Sequence, residues 1–140
     1  MNYNRPEQNR KAIDRRTEKR KTGDLGEDIA CKFLMKQGYK IIERNYLKKY
    51  GEIDVIATHD CKCHFFEVKT VHNVIRETTD AYRPEDNVHS LKIKRLGRVI
   101  QAYLFSHRIF GREWQFNVIT VYLNHKTRRA RVCLLENIVL

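Results

Sequence analysis

Two acidic side chains and a lysine in the stretch 51–70 have the types and the spacing for metal-dependent chemistry: Asp54, Glu67 and Lys69. The stretch consists of two runs rich in β-branched and aromatic residues around a short polar connection, which is typical of two antiparallel strands joined by a tight turn. A symmetric turn places Asp54 directly opposite Glu67, with Cβ atoms about 4.5 to 5.5 Å apart. Like charges destabilise a sheet at that separation, so we expect a cation between them.

A hard divalent cation, Mg²⁺ or Mn²⁺, is the expected occupant of this site. Magnesium takes oxygen ligands from one or two carboxylates and keeps several waters. Lys69 shares a strand face with Glu67 and would stand beside the metal, where an amine can orient or deprotonate a water. The alternative is an exposed polar face on which Lys69 neutralises two acids, as is common on half-solvated strands. The spacing alone leaves both interpretations open.

The pairing requires a two-residue turn at Asp60 and Cys61 with no bulge, although Asp-Cys is not a favoured turn pair. Alternation along the first strand then predicts which side chains share a face. One face should carry Ile53, Val55 and Ala57, and the opposite face Glu52, Asp54 and Ile56.

A second cluster of metal-ligating residue types lies at the predicted hairpin tip: His59, Cys61, Cys63 and His64. Structural zinc sites commonly combine two pairs of ligands from separate parts of a chain, and a second pair is missing from this sequence. Ordinary strand and turn residues are therefore the preferred interpretation. The four cysteines of the chain show no disulfide-framework spacing, which suits a reducing compartment.

The chain is strongly basic: its 140 residues include 28 Lys and Arg against 17 Asp and Glu, for a net charge of +11. This length suits one domain with a real core. The charge favours a polyanionic partner, with nucleic acid first and DNA ahead of RNA. A membrane is not expected, since no segment has the length of a span and no basic helix has a strongly apolar face. The polar N-terminus lacks the apolar core of a signal peptide, so we expect a cytoplasmic protein.

Residues 1–22 are basic and nearly free of large apolar side chains, so they cannot form a core of their own. We expect a solvated, flexible arm that lies along phosphates, followed by a single domain over 23–140. The arm residues expected at nucleic acid are Arg15, Arg16, Lys19, Arg20 and Lys21.

The first helix should carry a further acid, Glu27. Apolar residues recur at four-residue spacing from Leu25 to Phe33 and predict a helix that begins at Asp24 and is closed by Gly38. Asp24 followed three residues later by Glu27 fits a capping box, which would give Glu27 a structural role. A role in the site is the other interpretation, and the two do not exclude each other.

The remaining elements should extend the sheet and cover it. A strand over 39–46 should precede the hairpin, and a polar loop over 71–87 should follow it. Apolar residues at helical spacing predict a helix over 88–105, and alternation predicts strands over 114–123 and 129–135. The polar side of the second helix is either a solvated face or a phosphate-binding face, and it carries Lys92, Lys94, Arg95 and Arg98.

An ordered set of motifs resembles a known family: GDLGEDIACKFL, GYKIIERNY, GEIDVIA, FFEVKT and KIKRL. Together they resemble the YraN-like family of small uncharacterised proteins related to archaeal Holliday junction resolvases. Asp54, followed after the hairpin by Glu67, Val68 and Lys69, looks like the PD-(D/E)XK nuclease signature. The resemblance implies an α/β, restriction-endonuclease-like core, in which an antiparallel hairpin of a mixed β-sheet is flanked by helices. It also implies that Asp54 and Glu67 hold the metal, that Lys69 positions the attacking water, and that Glu27 is a further catalytic carboxylate.

The chain departs from the pattern of the resembled family in two places. Val71 follows the VKT step, where family members tend to carry arginine. An R-F-D pattern in the strand after the long helix reads Gln115, Phe116 and Asn117 here. These differences weaken the transfer of an activity, but the trio of Asp54, Glu67 and Lys69 is intact.

The favoured function is a metal-dependent nuclease, or a nuclease-derived protein, that acts on DNA of branched or single-stranded character. The main alternative is a non-catalytic nucleic-acid-binding protein that retains the nuclease fold. A protein-interaction adaptor that uses the loop over 71–87 is a third possibility, with only the length of the loop in its favour. The sequence leaves a homodimer open.

Overall fold

The computed structural model describes residues 17–72 and 90–140, with side chains from 94 onward in the second range. The helices and strands follow one another as α1 Glu18–Lys36, β1 Lys40–Lys48, β2 Gly51–His59, β3 Lys62–His72, α2 Ser90–Ser106, β4 Trp114–Asn124 and β5 Arg129–Leu135.

The strands form one mixed sheet in the order β1-β2-β3-β4-β5. β3 and β4 pair in parallel and the other neighbours are antiparallel. One hydrophobic cluster packs α1 on one face of the sheet and a second cluster packs α2 on the other face. The prediction of a mixed α/β fold, with an antiparallel hairpin flanked by helices, is confirmed.

The β2–β3 hairpin has the predicted register. Pairing runs from His59 opposite Lys62 to Val55 opposite Phe66. The two-residue turn is possible because Asp60 and Cys61 both adopt positive φ, at 49° and 61°. Positive φ at both central residues is the mark of a type I′ turn, whose twist matches that of the strands. The unfavoured Asp-Cys pair therefore still makes a tight turn without a bulge.

α1 begins at Glu18 and not at Asp24, where the sequence pattern predicts its start. Thr17 is the N-cap, and its side-chain oxygen accepts a hydrogen bond from the Arg20 N–H at 3.1 Å. Asp24 lies inside the helix and pairs with Arg20 at 3.3 Å. The capping-box explanation of Glu27 is therefore wrong. Residues 18–22, assigned to the arm from their composition, belong to this helix.

α2 covers the opposite face of the sheet and agrees closely with its predicted range. Its buried stripe comprises Leu96, Val99, Ile100 and Tyr103. Within the described ranges, neither helix is long and apolar enough to cross a membrane. The predicted loop over 71–87 begins later, since β3 continues to His72, and the rest of it lies outside the described residues.

Candidate metal and nucleic-acid site

The candidate site forms where β2 and β3 cease to pair. The last residue pair of the β2–β3 ladder is Val55 with Phe66. Continuing the same register places Asp54 opposite Glu67. The Val68 N–H donates a hydrogen bond to Asp54 Oδ2 at 2.7 Å. The Asp54 side chain thus binds the backbone of β3 at the point where the ladder between the strands ends. This contact holds the carboxylate against β3, beside Glu67.

The faces of β2 do not alternate as predicted. Ile53 packs with Ile56 in the cluster on the α2 side, whereas Val55 packs on the α1 side. The prediction that Ile53 and Val55 share a face is therefore wrong. The register of β1 and β2 places Asn45 opposite Asp54, and Asn45 has a φ of 53°. Two irregularities therefore flank Asp54: the left-handed Asn45 on β1 and the end of the β2–β3 ladder. They interrupt the alternation of side chains along β2 at this residue.

The electrostatics of Asp54 are those of a buried acid facing other acids. Burial, followed by the neighbouring Glu67, raises the pKa of Asp54 to about 8. The hydrogen bond from Val68 opposes this rise, and Glu27 and Glu52 add to it. Without a cation, Asp54 therefore holds a proton near neutral pH more readily than an ordinary aspartate.

Glu27 reaches the site because α1 approaches β3 very closely. A Cβ added at Gly26 would overlap the Thr70 side chain, so the helix can lie at this distance only with glycine there. Glu27 itself is 9% exposed, and burial raises its pKa against the opposing effects of Asn45 and Arg44. The structure therefore brings Glu27 into the electrostatic neighbourhood of Asp54.

Arg44 and Asn45 hold Glu27 from β1. Arg44 Nη2 lies 3.5 Å from Glu27 Oε2 and 2.9 Å from Asp28 Oδ1, and the Asn45 side chain hydrogen bonds to Glu27. In the sequence, Arg44 and Asn45 stood out only as part of the motif GYKIIERNY of the resembled family. The signal for Asn45 was its type, because asparagine tolerates positive φ better than most residues.

Lys69 lies on the face of the sheet that α2 covers. Phe65 packs on that side, so alternation directs Glu67 and Lys69 the same way. In the parallel neighbour β4, Thr120 pairs with Lys69 and is fully buried. Its hydroxyl has no hydrogen-bond partner in the described part of the chain. This polar atom suits a site that receives a water or a ligand, and no sequence pattern marks Thr120 for such a role.

The residues fit a metal bound by few protein ligands. Among residues 17–72 and 90–140, no three His, Cys, Asp or Glu side chains form a group that could hold a metal ion. Magnesium needs only one or two carboxylates, because waters and substrate phosphates complete its shell. Asp54 and Glu67 match that requirement.

The hairpin tip has a different arrangement. Cys63 is buried in the cluster on the α2 side. His64 packs against Tyr39 and Phe66 on the α1 side, and Asn117 bonds to its ring at 3.2 Å. The two neighbours in sequence therefore point into opposite layers and serve the core. Asn117, one of the departures noted above, also accepts a hydrogen bond from the Asn137 N–H, so it helps to anchor the C-terminal residues.

The basic residues of the arm lie partly on α1. Arg15 and Arg16 lie outside the described residues. Lys19, Arg20 and Lys21 occupy the first turn of the helix, where Lys21 pairs with Glu18 at 3.4 Å. A cavity of about 310 Å³ extends along this turn and is lined by Thr17, Lys19, Arg20, Gly23, Asp24 and Glu27. The cavity therefore extends from the basic residues at the start of α1 to Glu27.

The basic residues of α2 lie near the start of β2. A Cβ added at Gly51 would come within 3.9 Å of Arg95, so this part of the helix borders the strand that carries Asp54. Lys94 and Arg95 are exposed, and the Arg98 guanidinium lies 5.6 Å from the centre of the Tyr50 ring. The Lys92 side chain lies outside the described part of the structure.

The chain is similar in sequence to the members of one protein family. Residues 26–121 match the family described as uncharacterised protein family UPF0102. A UPF0102 protein of Moorella thermoacetica is 36% identical over 114 residues, which is 81% of this chain and 91% of that protein. A UPF0102 protein of Helicobacter hepaticus is 42% identical over 90 residues, covering 64% and 74% of the two chains. One from Campylobacter jejuni is 37% identical over 99 residues, covering 71% and 81%.

Proposed function

The chain belongs to the uncharacterised protein family UPF0102, and we propose that it is a metal-dependent nuclease with a restriction-endonuclease-like core, acting on DNA of branched or single-stranded character. One observation carries the proposal: two acids, Asp54 and Glu67, face each other where the hairpin opens. When both acids are charged, such a pair destabilises a fold, and a bound divalent cation would relieve the repulsion. Functional sites are where local rules of stability are broken.

The surrounding residues have complementary roles. Asp54 and Glu67 would hold Mg²⁺ or Mn²⁺, and a metal bound there would supply polarisation of the scissile phosphate and stabilisation of the charge that develops on it. Lys69 orients the attacking water from the same face as Glu67, beside the Thr120 hydroxyl, which has no hydrogen-bond partner among the described residues. Glu27 is protonated more readily than an ordinary glutamate, so it can exchange a proton at the edge of the site.

The nucleic acid is held by charge. The basic first turn of α1 and the polar side of α2 approach the site from two directions, and their lysines and arginines bind the phosphate backbone without reading bases. The net charge of +11 supports a polyanionic substrate.

The decisive experiment incubates labelled duplex, single-stranded and four-way-junction DNA with the protein in Mg²⁺, Mn²⁺ or chelator. We expect cleavage that requires metal and is lost in Asp54→Asn, Glu67→Gln and Lys69→Met. Glu113→Gln is the matched control, because Glu113 is an exposed acid at the opposite end of the hairpin, 3.6 Å from Lys62. Cleavage that survives in Asp54→Asn would end the assignment.

A non-catalytic nucleic-acid-binding protein is the second candidate, favoured by the basic charge, which needs no carboxylates to act. It predicts binding of all three DNAs with no cleavage under any metal condition. It also predicts that Asp54→Asn binds at least as tightly as the wild type, since the variant removes a negative charge.

A further inference from the structure

A shallow groove of about 680 Å³ runs along α2, apart from the carboxylates. It contains the three kinds of group that bind unpaired nucleotides: aromatic faces, cations and an amide. The residues of its lining that matter here are Tyr50, Lys94, Gly97, Arg98, Gln101 and Trp114.

The aromatic and charged groups are arranged for stacking. Tyr50 is 50% exposed, and Arg98 lies over its ring at 5.6 Å. Proteins that bind single strands combine aromatic side chains, on which bases stack, with cations that follow the phosphates. Lys94 and Arg98 supply the cations here, and no acidic residue is among the described residues that line the groove.

Gly97 leaves a space beside the backbone of α2 that no described side chain fills. It lies in the interior of α2, where glycine destabilises a helix relative to alanine. Outside its own part of the helix, a Cβ added there would meet no described atom within 4 Å. Packing among the described residues therefore gives no reason for glycine. A flat ligand lying against the helix backbone does.

The groove lies close enough to Asp54 for one DNA strand to contact both the groove and the candidate metal site. Tyr50 immediately precedes β2, and Asp54 follows four residues later, about 13 Å along an extended strand. We propose that this groove binds unpaired bases of single-stranded DNA adjoining the cleavage site, with one base stacked beside Tyr50 and another against α2 at Gly97. This inference rests on the proposed action on DNA, and it gives the substrate a single-stranded segment.

The test measures fluorescence anisotropy of a labelled blunt duplex and of the same duplex with a single-stranded tail, in chelator so that nothing is cleaved. The tail should tighten binding to the wild type about tenfold, as expected from one stacked base. Tyr50→Ala should remove most of that gain, and Tyr50→Phe, which keeps the aromatic face, should retain it. Lys126→Ala removes one exposed charge from the β4–β5 turn and should lower both affinities equally.

Gly97→Ala makes the sharpest variant, because its effects on folding and on binding should have opposite signs. The melting temperature should rise, and the gain from the tail should fall at least severalfold. A tail that adds no affinity in the wild type would overturn the inference, as would an unchanged gain in both Gly97→Ala and Tyr50→Ala.

The same variants separate this inference from the proposed nuclease. If the wild type cleaves DNA while Gly97→Ala and Tyr50→Ala keep the full gain from the tail, the groove assignment fails and the nuclease stands. If nothing is cleaved but the tail gain disappears in those variants, the nuclease fails and the groove is supported as a binding site.

Discussion

At the scale of single residues, the raised pKa of Asp54 should make the stability of the metal-free fold depend on pH. The pKa of Asp54 is about 8 in the folded chain against 3.8 for an ordinary aspartate, so the folded state binds more protons than the unfolded state between these limits. The contribution of Asp54 to the free energy of unfolding should therefore be largest below about pH 4 and be lost as the pH rises to about 8, at up to about 1.4 kcal/mol per pH unit. Denaturant titrations in chelator at about pH 5 and about pH 8 measure this. Asp54→Asn should lack this contribution, and an equal pH dependence in both proteins would contradict the prediction.

The hydrogen bond from Val68 to Asp54 makes a second prediction at this scale. Asn at position 54 keeps an oxygen acceptor for that N–H and cannot carry a charge facing Glu67 at any pH, so metal-free Asp54→Asn should be as stable as the wild type or more stable. Asp54→Ala removes the acceptor as well and should be less stable than Asp54→Asn by roughly 1 kcal/mol. Thermal melts of the two variants in chelator compare them directly. Two variants of equal stability would show that the hydrogen bond contributes nothing.

At the scale of elements, the contact of α1 with β3 depends on Gly26. Ala at this position would collide with Thr70, so Gly26→Ala should destabilise the fold by about 1 to 3 kcal/mol and displace Glu27. Gly23→Ala is the control from the same helix, since outside that part of the helix no described atom lies within 4 Å of a Cβ there, and it should stabilise the fold by roughly 0.5 to 1 kcal/mol. Denaturant unfolding of both variants tests the pair. Stabilisation by both substitutions would contradict a tight helix–sheet contact.

The sequence predicted the elements that carry their own periodicity. The register of the β2–β3 hairpin followed from a symmetric turn, and the range of α2 followed from its apolar stripe. The approach of Asp54 to β3 beside Glu67 could be predicted for the same reason, because it follows from the register of the hairpin. The placement of Lys69 beside Glu67 needed only the two-residue period of a strand.

Features that depend on tertiary contacts could not be predicted in this way. The start of α1 was missed because residues 18–22 have no apolar positions, so only the cap at Thr17 marks it. The predicted face of Ile53 was wrong because the pattern within β2 contains no information about the left-handed Asn45 on the neighbouring strand. The role of Thr120 arises from the parallel pairing of β3 with β4, which joins segments far apart in sequence.

At the scale of the whole molecule, the net charge of +11 should make binding of nucleic acid fall steeply with salt. Each neutralised phosphate contributes roughly 0.9 to the slope of log affinity against log salt on duplex DNA. Removing residues 1–16, which keeps the Thr17 cap of α1, should weaken binding and reduce that slope. Titrations of both proteins at several salt concentrations measure the change. An unchanged slope would exclude the arm as a contact surface.

The parallel pairing of β3 with β4 also has a kinetic consequence. The hairpin that carries Asp54 and Glu67 is local and can form early, but Thr120 joins Lys69 only after the chain has closed a long loop through α2. We expect the complete site to form after the folding transition state. Mg²⁺ should then slow unfolding and leave the refolding rate nearly unchanged. Stopped-flow measurements with and without Mg²⁺ would reveal the order of assembly, and faster refolding in Mg²⁺ would place the completed site in the folding nucleus.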